Sequence, residues 1–369
     1  MKRLLCLLTV LLLLPCAALA EELILIAEYP IQSEEPITYP HDAHLLPDGN
    51  LLLRYYALDR SQFARDVGME GRLYDHYMGI FTPEGEKVWE SLPGSYELAK
   101  EENDDALIIR PGSFIREYGP AQRYCSTEYD LSGNVLHAQL EPQAREGAPR
   151  VWSSPRYGLT IDDLAGRTEA LSLATGAAAE LPVDELGVIS AAEVDGMLAV
   201  LNRPEAGSAV IRLYDENLTE IRVLTAPFNH GEWVPMAYAG GRLYCFPMYA
   251  GDWESYYAYA CDLQTGEWLS DPVYVQVPDE RCHLLGVIPE GDECLLLIED
   301  DDTAPFRDSG NFNHTSKRLY RMAPDGSLSL CLDLNGDALL LPRTQGDQFT
   351  LLMPSEEAGG YVLRTYALN

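Results

Sequence analysis

Three observations predict an all-β chain: short strand-like runs set off by Asp, Gly, Asn and Pro, recurring turns about 50 residues apart, and an unmatched N-terminal strand. Together they specify a β-propeller, most simply seven four-stranded blades that the N-terminal strand closes into a ring. Helix-like 3.6-residue periodicity and heptads are absent, so few helices are expected.

The chain opens with "MKRLLCLLTVLLLLPCAALA", a basic start at Lys2 and Arg3, an apolar run from Leu4 to Leu14 and small residues at Ala18 and Ala20. This is the pattern of a secretory signal peptide, cut near Ala20. The reading is therefore a signal peptide over 1–20 and a single propeller domain over 21–369, exported to the extracellular, cell-envelope side. No later segment has the length of a membrane span, so no membrane insertion is expected after cleavage.

The first strand of the domain is "ELILIAEYP". Next comes "HDAHLLPDGNLLLRYYALD", a hairpin turning at Asp48-Gly49, and the unit ends with the turn in "FTPEGEKVW". Later first turns are assigned to Asp104-Asp105, Tyr157-Gly158, Asp195-Gly196, Gly240-Gly241, Gly291-Asp292 and Gly346-Asp347. Apolar runs such as "ALII", "MLAVL", "RLYCF" and "ECLLLI" follow them. Outer turns recur as "YDLSGNVLH", "LATGAAAEL", "YDENLTEIRVL", "CDLQTGEWL" and "MAPDGSLSL". The last unit runs out in "YVLRTYALN" without an outer strand, the place the N-terminal strand fills, which removes an exposed sheet edge. The unit from Arg150 to Asp184 is short and leaves six or eight blades open.

The formal charge is −32, and loss of the cations Lys2 and Arg3 takes it to −34. Such a surface repels nucleic acid and anionic lipid. Of the six cysteines beyond the leader, Cys245 and Cys261 stand equally far from Trp253 in a hairpin loop, which suggests a disulfide between them. No cysteine–histidine spacing fits zinc.

In an up-and-down blade the first and third turns share one face and the second connection lies on the other. Long second connections are expected over Leu58–His76, Pro111–Pro120, Pro247–Ser255 and Glu299–Lys317, and loops of that length are commonly functional. His41, Trp233 and His283 each stand eight residues before a first-turn glycine. That count puts them at the start of innermost strands, on the long-connection face. Asp42, Arg60, Arg307 and His314 are candidates to join them there. Histidines beside carboxylates suit general acid–base work, so His41 and His283 are the catalytic candidates if the protein is an enzyme. Trp233 and Trp253, large rings at the rim, suit stacking on a sugar or a partner. Asp300 and Asp302, in "EDDDTAPFRDSGNFNH", are candidate oxygen ligands for Ca²⁺, the one cofactor considered. The aromatics of the fifth unit (Tyr238, Tyr244, Tyr249, Tyr256, Tyr257 and Tyr259, beside Trp253) are assigned mainly to packing. No nucleophile elbow, phosphate loop or zinc-protease helix occurs.

The turn spacing resembles that of secreted bacterial β-propeller repeat proteins, WD40-like and quinoprotein-like in the broad sense. Regular Gly-His and Trp-Asp pairs are missing, and the five tryptophans hold no common position, so no quinone is implied. One hairpin, with His41, Asp42 and Leu46-Pro47-Asp48-Gly49-Asn50, is similar to a repeat of bacterial arylsulfotransferases, whose histidine accepts a sulfuryl group. The match covers this hairpin alone. The expected function is a secreted binding module for an extracellular glycan, a cell-envelope component or a protein partner. The alternative is a propeller enzyme, of transferase or hydrolase type, with histidines at the channel mouth.

Overall fold

The computed structural model describes residues 23–367 apart from 35, 59–73, 92–105, 111, 119–123, 142–149, 163–164, 183–186, 204–207, 229–233, 248–255, 278–281, 301–315, 335–337, 342–347 and 356. The N-terminal strand is β1 (Ile24–Pro30). Blade 1 holds β2 (Ile37–Leu45), β3 (Leu51–Leu58), β4 (Tyr74–Phe81) and β5 (Lys87–Glu90). Blade 2 holds β6 (Ala106–Arg110), β7 (Ser113–Tyr118), β8 (Tyr124–Asp130) and β9 (Val135–Glu141). Blade 3 holds β10 (Arg150–Ser153), β11 (Tyr157–Asp162), β12 (Arg167–Ser172) and β13 (Ala178–Leu181). Blade 4 holds β14 (Val188–Val194), β15 (Met197–Asn202), β16 (Val210–Tyr214) and β17 (Glu220–Thr225). Blade 5 holds β18 (Met236–Ala239), β19 (Arg242–Cys245) and β20 (Tyr256–Asp262), with a broken outer strand, β21 (Glu267–Trp268) and β22 (Val273–Val275). Blade 6 holds β23 (Cys282–Glu290), β24 (Glu293–Asp300), β25 (Ser316–Met322) and β26 (Leu328–Leu334). Blade 7 holds β27 (Leu339–Leu340), β28 (Gln348–Ser355) and β29 (Gly360–Ala367), and β1 completes it.

The fold is thus a seven-bladed β-propeller, every sheet antiparallel and ordered from the axis outward. Its closure is the predicted one: β1 pairs with β29 from Ile24↔Ala367 to Pro30↔Val362, and Arg364 bonds Glu28 at 2.5 Å. The segment after β1 stitches the closing blade to blade 1. Ile31 donates to the Tyr361 carbonyl at 3.0 Å, Gln32 to the Gly85 carbonyl at 3.0 Å, and Lys87 Nζ reaches Glu34 at 2.5 Å.

A strand's place in its blade explains its composition. The second strand is covered on both faces by neighbouring blades, so Leu51 to Tyr55 and Leu198 to Asn202 are buried as unbroken runs, with none of the alternation of a half-exposed sheet. The outermost strands are wet, and β1 exposes Ile24, Leu25 and Ile26. The core is a set of apolar layers between blades. Leu53 and Tyr55 pack on Leu352 and Leu363 of blade 7, while Leu52 and Met78 pack on Leu107 and Phe114 of blade 2.

Third turns repeat one device. Asp130 accepts the backbone N–H groups of Ser132 and Asn134, Asp215 those of Asn217 and Thr219, and Asp262 those of Gln264 and Thr265. Each carboxylate replaces a missing backbone partner in its turn.

Four sequence expectations need correction. "ALII" is the innermost strand β6 of its blade, and the chain turns between Arg110 and Ser113 rather than at Asp104-Asp105. Pro111–Pro120 is therefore no long connection, since β7 occupies Ser113–Tyr118. Tyr157-Gly158 opens β11, and its turn lies at Ser154–Arg156; the weakly patterned third unit is a complete four-stranded blade. Cys245 and Cys261 do not face each other. Cys245 pairs with Tyr259 and Cys261 with Leu243, so the two are diagonal neighbours on one face, and both are buried free thiols. Diagonal side chains stand about 7–8 Å apart, too far for a disulfide without backbone movement. Burial pushes both thiols up, Cys261 to about 11, which keeps them unreactive.

Candidate functional site

The channel side of blade 1 gathers three of the seven histidines, two of them on one carboxylate. Asp42 and Arg54 are cross-strand partners on β2 and β3. Arg54 is 8% exposed, and its guanidinium grips Asp42 with two hydrogen bonds, one from Nε to Oδ1 at 2.7 Å and one from the terminal nitrogen to Oδ2. His41 Nδ1 stands 3.5 Å and His44 Nε2 3.4 Å from the same Oδ2. Burial by itself would raise the Asp42 carboxyl. The bonds from Arg54, His41 and His44 override that and hold it well below the usual carboxylate range. The carboxylate is thus a fixed anion that orients two imidazoles, and each imidazole turns one nitrogen to it.

Aromatic rings frame the cluster. Tyr56 and His76 are cross-strand partners stacked at 4.9 Å between centroids, and His41 lies against both, at 5.9 Å and 6.0 Å. His76 is buried; the His41 side chain is 36% exposed. Arg54 and Tyr56 share the face of β3 that carries Leu52, the face toward blade 2. Buried Arg116 lies on the facing side of blade 2, two residues along β7 from Phe114. This interface is apolar at its short-turn end and polar at its long-connection end.

A β-bulge places His41. The register of β2 shifts between Pro40 and Asp42, so His41 is the extra residue and swings clear of the ladder. It therefore stands in the middle of the innermost strand, not at its start. His283 is the second residue of β23 and pairs with Glu299. The contacts of His41 with Asp42, Tyr56 and His76 all lie within blade 1. Counting from the turn glycine misled the alignment, because Gly49 ends its turn while Gly291 begins its own. Register makes Tyr39, not His41, the blade 1 counterpart of His283.

Asp300 closes β24, opposite Ser316, where the long connection of blade 6 begins. Arg60, Trp233, Tyr249, Trp253, Asp302, Arg307 and His314 lie outside the described residues. Among the described residues no group of His, Cys, Asp and Glu is arranged to hold a metal ion, and no helix is long and apolar enough to cross a membrane.

Sequence reading missed His44, Arg54 and His76. A signal for Arg54 was present: one cation inside the run Leu51 to Leu58 must find a buried partner, and Asp42 was the acid across the hairpin.

Fold and site together define a seven-bladed propeller with a polar, carboxylate-centred cluster beside its channel. No family model matches the sequence, and no curated relative does. Among solved structures the chain is similar to one from the Mitotic Checkpoint Complex, with a TM-score of 0.47 and 11% identity over 93% of this chain and 91% of that one. It is also similar to Kuenenia stuttgartiensis hydrazine synthase, at TM-score 0.40 and 10% identity over 70% and 80%, and to U3-55K, at 0.38 and 11% over 73% and 96%. The propeller assignment itself rests on the sheet order and the closing strand.

Proposed function

We propose that this protein is a binding propeller of the cell-envelope side, taking an extracellular glycan at the long-connection end of blade 1. One observation carries the reading: an exposed imidazole, His41, held by a half-buried Asp42–Arg54 pair and flanked by the Tyr56 ring. Sugar sites combine fixed polar groups for hydroxyls with a ring for the apolar face of the pyranose. The cluster is preorganised, so little ordering cost falls on binding. An envelope component or a protein partner displaying such a glycan would use the same groups.

The test is a thermal-shift screen of residues 21–369 against envelope and dietary glycans, repeated with His41→Ala and Tyr56→Ala. A ligand at a hundred times its dissociation constant adds about 2.7 kcal/mol. A shift with one glycan that both variants lose supports the reading; a shift that both variants keep moves the site elsewhere.

A specific contact favours one alternative. Asp42 beside His41 Nδ1 is the arrangement that orients a general base, with Nε2 left to face a reactant. In that reading His41→Ala abolishes turnover of a ligand that it still binds.

A further inference from the structure

The axis of the ring contains a second feature, which meets the His41 cluster only at His44. A cavity of about 350 Å³ lies where the inner strands of four blades converge. Its walls are apolar and include Trp152 of β10, Val287 and Ile288 of β23, Leu340 of β27 and Phe349 of β28; His44 and Ser153 are its polar groups. The volume lies at the lower end of the range for small-molecule pockets, about 300–1,000 Å³.

His44 gives the cavity a chemical preference. Its Nε2 is shut away from solvent and turned to Asp42 Oδ2 at 3.4 Å. In the neutral imidazole, the tautomer with its proton on Nε2 is the one that suits a carboxylate on that side, and it leaves Nδ1 as an acceptor. Among the described residues no protein group hydrogen-bonds His44 Nδ1. The side chain is 13% exposed and lines the cavity. The polar group at the wall is thus an acceptor, and a complementary ligand must donate to it.

We propose that the axial cavity is a binding site for a compact, mainly apolar molecule carrying one hydrogen-bond donor, which it gives to His44. Trp152, Val287, Ile288 and Leu340 enclose the apolar body. The site goes beyond the glycan reading and does not depend on it, because His41 and Tyr56 are not among the cavity's walls.

Two near-isosteric probes test this: indole, which has one N–H donor, and 1-benzothiophene, which has none. By isothermal titration, indole should bind one to one and about tenfold more tightly than benzothiophene, the worth of one hydrogen bond to a buried acceptor. His44→Phe should remove that preference while the apolar probe still binds. Val287→Trp, which fills the cavity, should lower the affinity for both probes at least about tenfold. If that variant fails to fold, the His44→Phe comparison decides alone. The site is overturned if neither probe binds the wild type, if the two bind equally, or if the indole preference survives in His44→Phe. His41→Ala should lose the rim ligand and keep indole, so the two proposals fail separately.

Discussion

Blades 1 and 6 are built on the same frame and filled with opposite chemistry. Both inner strands are nine residues long, and both carry a bulge at the same place in the register. His41 is the bulged residue in blade 1 and Leu285 in blade 6. Asp42 opposite Arg54 corresponds to Gly286 opposite Leu297, and His44 opposite Leu52 to Ile288 opposite Leu295. In blade 6 these positions pack against the adjoining blade with Phe349 and Leu351. Neither the fold nor the bulge therefore requires a polar cluster. Blade 1 carries desolvated charge at points where its sister shows that leucine and glycine suffice, and buried charge retained at such a cost points to function.

The largest test of this comparison converts one blade toward the other. Arg54→Leu leaves Asp42 ionised without its main partner and should destabilise by about 3 kcal/mol, toward the low end for a broken buried pair because Asp42 is partly solvated. The double variant Asp42→Ala/Arg54→Leu removes both charges, as blade 6 does, and should return to within about 1–2 kcal/mol of the wild type. Urea unfolding of all three proteins checks both expectations. If Arg54→Leu alone is nearly neutral, the pair is not a buried unit and the contrast between blades loses its meaning.

Crowding at a turn follows its place in the blade rather than the blade: the first-turn glycines, Gly49 and Gly291, leave a Cβ free, while the third-turn glycines, Gly85 and Gly326, would bring it to 2.4 Å and 2.0 Å from a neighbouring backbone oxygen. Gly49 in blade 1 (φ +88°) and Gly326 in blade 6 (φ +83°) are both left-handed. A Cβ on Gly49 would meet nothing within 4 Å, whereas one on Gly326 would lie 2.0 Å from the Tyr274 carbonyl oxygen of blade 5. Gly49→Ala should cost about 1 kcal/mol, the strain of the conformation alone. Gly326→Ala must also push blades 5 and 6 apart, and should cost at least about 2 kcal/mol. Equal melting temperatures for the two variants would mean that the blade 6 turn yields freely.

How far these features were legible follows from the same physics. Turn chemistry is local, so Asp-Gly pairs and apolar runs located most hairpins, and the missing outer strand located the closure. Strand identity was harder. "ALII" is apolar whether it is the first or the second strand of a blade, and its true turn lacked the Asp-Gly mark. The site was half visible. His41 and Asp42 stood out by residue type, but His76 reaches the cluster only through strand pairing. Glycine counting paired His41 with His283 because it ignores where in the turn the glycine sits; only the hydrogen-bond register separates them.

The smallest expected effect is a pH dependence, and it isolates the carboxylate. The folded-state pKa of Asp42 lies below its unfolded value of about 3.9. The unfolded chain thus takes up this proton first as pH falls. The stability that Asp42 contributes is fully present above about pH 4 and is lost as pH drops from there through the folded-state value. Asp130, Asp262 and Asp325 are also lowered, by the hydrogen bonds of their turns, so the whole protein weakens in acid. Those turns are untouched in Asp42→Ala/Arg54→Leu, so subtracting its stability from that of the wild type removes their share. The difference should be flat above about pH 4 and shrink below it. A difference that stays constant to pH 2 would mean that the carboxylate titrates alike in both states, and that its three cationic and imidazole neighbours do not hold it.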